Sequence, residues 1–256
     1  MNLNLIPQPY DVNKIRPEIV AIIDSDSLVY QCAHPGKDEW GNTLPDYTEE
    51  EYEKAEMKLG ERVLGILNKI EEDYTIVKHF LCIKGKKNFR YAVYEEYKAN
   101  RPKPLPIINH LCKYLVDNFQ AIEAHGYEAD DLVYTLALDL KSKALICSID
   151  KDLKQIPGLH YNYNKEEYSE VSEEEAVYNL GIQMIMGDAG DGINPLRGVG
   201  IKTAQKLISF GMSEKDIMRV CLTMYKMTKY WGDEAKEKIR MYYKLLKLQN
   251  INDRRE

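Results

Sequence analysis

Short β-branched runs alternate with longer segments of helical spacing along the first two thirds of the chain. "EIVAIID" (Glu18 to Asp24), "TIVKHFLCI" (Thr75 to Ile83) and "ALICSID" (Ala144 to Asp150) read as buried strands, with "LHYNYN" (Leu159 to Asn164) a short fourth. Helical spacing predicts helices over Leu59 to Asp73, Ile108 to Phe119 and Glu128 to Ser142. This alternation predicts an α/β unit on a mostly parallel sheet, with its sites at the carboxyl ends of the strands. After Asn164 the pattern changes. "KEEYSEVSEEE" (Lys165 to Glu175) reads as an acidic, polar connection. Beyond it the spacing predicts only helices with short loops, over Ala176 to Met186, Lys202 to Phe210, Ser213 to Met227 and Asp233 to Leu248. The expected division is therefore 1–170 and 171–256, with no long-period repeat or low-complexity tract.

Composition narrows the class. The chain has 256 residues, 44% hydrophobic and 30% charged, which suits an ordinary globular protein with a real core. A net charge of −6 excludes a generally basic nucleic-acid coat, so a polyanionic partner needs a local basic patch. Five cysteines without a C-x-x-C pair, and five scattered histidines, predict reduced thiols and neither a disulfide framework nor a zinc site. No apolar run reaches the ~18 residues of a membrane span. The first residues, "MNLNLIPQPYDVNKIRP", carry no apolar signal core and read as an extended lead-in. A cytoplasmic protein without a membrane partner is expected.

The carboxylates fall into four clusters. Asp24 and Asp26 follow the first strand, and Asp150 and Asp152 follow the third. Glu128, Asp130 and Asp131 open a helix, and Asp188 and Asp191 lie in "GDAGDGINPLRGVGIKTAQKLI". Taken singly, each cluster is equally a helix cap or a turn. Converging together, they would raise one another's pKa unless cations compensate them. A set rich in carboxylates and free of histidine and cysteine points to Mg²⁺ or Mn²⁺ and to phosphate chemistry, with two ions able to serve a phosphodiester.

"KGKKNFRYAVYEEYKANRPK" (Lys84 to Lys103) supplies the basic patch, with tyrosines interleaved. It reads as a mobile element gripping phosphates, or as a solvated amphipathic helix. Its tyrosines, Tyr91, Tyr94 and Tyr97, are expected to pack, although they could also stack on bases.

Five segments in order resemble the motifs of the 5′-nuclease superfamily. That superfamily comprises flap endonucleases and 5′-3′ exonucleases, including short phage-type enzymes and the 5′-nuclease domain of bacterial DNA polymerase I. The segments are "IIDSDSLVYQ", "NFRYAVYEEYKANR", "YEADDL", "SIDKDLKQI" and "MGDAGDGINPLRGVGIKTA". The resemblance runs from about Val20 to Leu248. It implies a PIN-like parallel sheet flanked by helices over 1–170, and a helical helix-hairpin-helix region over 171–256. It implies a metal set of Asp24, Glu128, Asp130, Asp131, Asp150, Asp152, Asp188 and Asp191, with Lys98 and Arg101 acting at the scissile phosphate. Lys84, Arg90, Gly198, Gly200 and Lys202 would bind DNA. Implied cofactors are Mg²⁺, with Mn²⁺ substituting, and K⁺ at the hairpin. Implied partners are DNA with 5′ ends, nicks or flaps and RNA–DNA hybrid, bound by a monomer acting in replication or repair in the cytoplasm of a cell, or of the host if phage-encoded.

The chain departs from the pattern at Ile83, where many relatives carry an Asp. The short "PKPLPIIN" linker leaves little room for a long helical arch. Two alternatives remain at this stage: a DNA-structure-binding protein with a weakened site, and a haloacid-dehalogenase-type phosphatase suggested by the D-x-D of Asp24 and Asp26.

Overall fold

The run Ile19 to Ile23 offers no polar side chain to solvent, and the structure buries it on both faces as a middle strand, β1 (Glu18–Asp24). A computed structural model describes residues 15–33, 47–196, 198–228 and 232–253. The lead-in expected over the first fourteen residues lies outside them. The other strands are β2 (Thr75–Asn88), β3 (Ile122–Gly126), β4 (Ala144–Cys147), β5 (Gly158–Asn162) and β6 (Glu167–Val171). They form one sheet in the order β3-β2-β1-β4-β5-β6, parallel except for β6, which runs antiparallel to β5. The order reverses at β1, which opens a crevice at the carboxyl ends of β1, β2 and β4.

The helices are α1 (Asp26–Cys32), α2 (Glu49–Glu71), α3 (Arg90–Val93), α4 (Pro106–Phe119), α5 (Ala129–Leu140), α6 (Glu173–Met186), α7 (Ile201–Leu207), α8 (Glu214–Thr228) and α9 (Gly232–Leu246). α1, α2 and α4 cover one face of the sheet over Ala21, Ile23, Leu81 and Ile83. α5 covers the other face over Ile22, Cys82 and Ile146. The last four helices close a separate core around Met184, Ile217, Cys221, Tyr225 and Tyr242. Gly181 permits that closure, because a Cβ there would stand 2.8 Å from the side chains of Ile208 and Ile217. Among the described residues no helix is long and apolar enough to cross a membrane.

The differences from expectation have local causes. β3 and β6 lie at the two edges of the sheet, where a half-exposed strand needs little apolar alternation. β6 therefore crosses what reads in the sequence as a polar connection. α2 begins ten residues before Leu59 because Thr48 and Glu51 form a reciprocal capping box, with the Glu51 N–H donating to Thr48 Oγ1 at 3.3 Å and the Thr48 N–H donating to Glu51 Oε2 at 2.7 Å. β2 runs on to Asn88 and takes up the start of the basic segment, of which only Arg90–Val93 is helical.

Ile83 is fully buried against α1 and α4, on the sheet face opposite α5. Ile83→Asp would place an unpaired carboxylate there. It is expected to cost roughly 3 kcal/mol or more, read as a lowered urea midpoint. Wild-type stability in the variant would remove Ile83 from the core.

Candidate active site

The acidic residues leave the sheet from connections that meet at the crevice. Asp24 ends β1, Asp26 opens α1, Glu128 caps α5 and Asp130 lies in its first turn. Asp150 and Asp152 follow β4, and Asp188 and Asp191 follow α6. All eight line one cleft of about 1050 Å³, together with Lys84, Lys98, Arg101 and Gln183.

Along one wall of this cleft burial and neighbouring carboxylates raise four carboxyls. Asp24 is 2% exposed, and its Oδ2 accepts hydrogen bonds from Ser27 and Ser148, each at 2.8 Å. Burial, aided by the charges of Asp26 and Asp150 and opposed by the two serines, pushes its carboxyl up to about 6. Asp130 is raised well above the ordinary range by burial and by Asp24, Asp150 and Glu128. Asp152 is pushed up to about 7 by burial, Asp150 and Asp188, although the Gln183 amide donates to it. Burial also raises Asp26, whose Oδ1 accepts the Lys84 N–H at 3.0 Å.

The opposite wall is paired. The Lys98 ammonium contacts Glu128 and lies 3.8 Å from Asp191, and Arg101 contacts Asp191 while donating Nε to the Gly190 carbonyl at 3.1 Å. The Lys98 N–H donates to the Asp191 carbonyl at 2.9 Å, which latches the basic segment onto the loop after α6. Burial works against the Glu128 charge, yet Lys98 and Arg90 hold its carboxyl below the usual range. Tyr97 is buried behind both acids, its hydroxyl 2.9 Å from Asp191 and 3.1 Å from Glu128, so its one proton serves two acceptors.

Several sequence expectations change. Arg90, expected at DNA, is 2% exposed and forks onto Asp131 at 2.5 and 2.9 Å. Burial disfavours its charge, but the hydrogen bond and charge of Asp131 keep its pKa above the ordinary value. Asp131, expected among the metal ligands, is fully buried and spends its oxygens on Arg90, the Glu128 N–H at 3.1 Å and the Gln249 N–H at 2.8 Å. Asp131 does not line the cleft, and Arg90 borders it with its guanidinium turned onto Asp131. Ile83, expected where relatives carry an Asp, turns its side chain into the core under α1 and α4 and does not line the cleft. Cys82 pairs with Asp24 across the two strands and packs with Ile22 and Ala129, where burial and the charges of Asp24 and Asp130 raise its thiol.

Gly198, Gly200 and Lys202 stand apart from the cleft. Gly198 has φ +78°, which favours glycine, and the Gly200 carbonyl accepts the first N–H bonds of α7 from Thr203 and Ala204. Lys202 and Lys84 are placed for solvent and for the cleft rim respectively. The sequence reading missed Tyr97 as a site residue by favouring simple packing. It also missed Gln183, whose signal is a lone polar residue in the apolar run "GIQMIM".

The donor set tests the expected metal. Among the described residues no three acidic, histidine or cysteine side chains are already gathered at the spacing that holds an ion. Their oxygens instead accept hydrogen bonds from Ser27, Ser148 and Gln183, and from the N–H groups of Gly190 and Asp191, which bind Asp188 Oδ1 at 2.7 and 3.1 Å. The crowding of carboxylates along that wall and its all-oxygen chemistry nonetheless fit a hard divalent cation.

Residues 19–181 match the family model of the 5′-3′ exonuclease N-terminal resolvase-like domain. The chain is 27% identical over 202 residues to the 5′-3′ exonuclease of Aquifex aeolicus, covering 73% of this chain and 68% of that protein. It is 33% identical over 172 residues to the 5′-3′ exonuclease of Buchnera aphidicola subsp. Schizaphis graminum, covering 60% and 59%. It is 32% identical over 146 residues to DNA polymerase I of Deinococcus radiodurans, covering 50% of this chain and only 15% of that protein. Among solved structures, bacteriophage T5 5′-exonuclease with bound zinc ions matches with a TM-score of 0.55 at 15% identity, over 90% of this chain and 88% of that one. The T5 flap endonuclease in a complex with DNA and metal ions matches with a TM-score of 0.55 at 17% identity, over 91% and 89%. These two are likenesses of fold. The family match decides against the phosphatase alternative.

The raised carboxyls predict a stability signature. A carboxyl whose pKa is higher in the fold stabilises it while protonated, fully below about pH 4, and loses that contribution as pH climbs through its folded value. At Asp24 the rise corresponds to on the order of 3 kcal/mol. In EDTA the melting temperature is therefore expected to fall between pH 5 and pH 8, and Mg²⁺ at pH 8 to restore it. Asp24→Asn should flatten the fall; a profile identical to wild type would show that Asp24 carries no such load.

Proposed function

The chain belongs to the 5′-3′ exonuclease family of hydrolytic nucleases, and on that premise we propose that it is a divalent-cation-dependent 5′-nuclease acting on nicked, flapped or duplex DNA in replication or repair. The observation that carries the reading is the single cleft lined by eight carboxylates with Lys84, Lys98 and Arg101 beside them. RNA in RNA–DNA hybrid is proposed as a second substrate. Residues 1–170 are proposed as the nuclease core and 171–256 as the part that grips the duplex.

Asp24, Glu128, Asp130, Asp150, Asp152, Asp188 and Asp191 would hold Mg²⁺ or Mn²⁺, proposed as a pair, directly or through water. When bound, such ions lower the pKa of a water and neutralise developing charge on phosphate oxygens. In the reaction a water oxygen bonds to phosphorus and the bond to the 3′ oxygen breaks, leaving a 5′-phosphate and a 3′-hydroxyl. Lys98 and Arg101 exchange their carboxylate partners for the scissile phosphate and stabilise its added charge. Tyr97 keeps Glu128 and Asp191 in place during that exchange. Gly198, Gly200 and Lys202 lie away from the cleft and would hold the duplex strand beside it, with exposed N–H groups facing a phosphate.

The test is cleavage of 5′-labelled blunt, nicked and 5′-flap DNA in Mg²⁺, Mn²⁺ and EDTA. Release of 5′ products in both metals and none in EDTA is expected, and cutting that survives EDTA would overturn the metal dependence. Asp130→Ala should abolish cutting and keep DNA binding. Lys98→Ala should lower kcat on the order of 10²-fold while KM changes little. An equal loss in both would make Lys98 a grip residue only.

A further inference from the structure

Residues 245–251 run from the last turn of α9 along the cleft, which they line through Leu245, Leu246 and Leu248. Their backbone is held by four side chains that come from outside the last four helices. Arg90 donates Nε to the Leu245 carbonyl at 2.8 Å. The Gln155 amide donates to the Leu246 carbonyl at 2.8 Å, and its oxygen accepts the Leu248 N–H at 3.3 Å. Asp131 Oδ1 accepts the Gln249 N–H at 2.8 Å, and the Thr135 hydroxyl accepts the Ile251 N–H at 2.8 Å.

Three of these four act on cleft carboxylates: Arg90, 3.8 Å from Glu128, and, through further hydrogen bonds, Gln155 and Asp131. The second N–H of Gln155 goes to the Gln183 oxygen, and the Gln183 amide donates in turn to Asp152. This relay has one allowed polarity. The Leu246 carbonyl and the Asp152 carboxylate are both acceptors, so both amides must present nitrogen toward them, and the Leu248 N–H locks Gln155 against a flip. At the other end, Asp131 adjoins Asp130 and takes the Glu128 N–H, which fixes the first turn of α5.

We infer that residues 245–251 are a positioning strap for the active site, acting on Asp152 through Gln155 and Gln183 and on Glu128 and Asp130 through Asp131. The inference rests on the nuclease reading of the cleft. The strap and Gln183 lie beyond the residues that match the family domain, which end at 181. Side chains that orient metal-holding carboxylates are expected to matter nearly as much as the carboxylates themselves.

The test uses the full chain carrying Gln155→Leu, with folding checked by thermal melting. Mn²⁺ binding measured calorimetrically without DNA should weaken, and kcat should fall, each roughly ten-fold or more. KM for flap DNA should stay within about three-fold of wild type, because Gln155 does not line the cleft. Gln249→Pro, which removes the N–H given to Asp131, should reproduce the pattern, and it decides the matter if Gln155→Leu does not fold. A folded variant with wild-type Mn²⁺ affinity and kcat overturns the inference. Failure of the nuclease reading would show differently, as a wild-type chain that does not cut, and the Mn²⁺ affinities would then still report on the strap.

Discussion

Like charges repel, and eight carboxylates share one cleft in this molecule. The rest of the structure depends on how that repulsion is contained. On one wall it is offset by pairing, with Lys98 on Glu128 and Arg101 on Asp191. On the other, burial first and the neighbouring carboxylates second raise the carboxyls of Asp24, Asp130 and Asp152. That asymmetry is chemically useful. On the proposed function, the crowded wall would hold divalent cations and the paired wall would keep Lys98 and Arg101 at hand for a phosphate.

The repulsion is sustained by a scaffold that does not itself face the cleft. The Arg90–Asp131 pair is buried, bidentate and completed by the Leu245 carbonyl and the Gln249 N–H. Removing one partner of such a pair typically costs about 3–5 kcal/mol, because the other charge is left buried. The pair joins the basic segment, the first turn of α5 and the chain beyond α9. The helical region and the sheet are thereby tied together at the place where the acidic residues need fixed directions.

Much of this was legible in the residues. The apolar runs gave the interior strands, since a strand buried on both faces must be apolar throughout. The four acidic clusters gave the carboxylates that meet at the cleft, and five ordered segments gave the family. Edge strands were not legible: β3 and β6 carry few buried residues, so their composition does not differ from that of a loop. The helix start at Thr48 was readable in principle from its capping pair.

Sequence alone determined the family, the residue types that meet at the cleft, and the interior strands and most of the helices. Tertiary structure decided which neighbour of each pair faces the site. Side chains alternate along a strand, so Cys82 turns to Asp24 while Ile83 turns to the opposite core. Successive residues on a helix point about 100° apart, so Asp130 lines the cleft while Asp131 is buried on Arg90. A motif read along the chain fixes residue types to within a position, but only packing fixes direction, because direction is set by what lies across from each side chain.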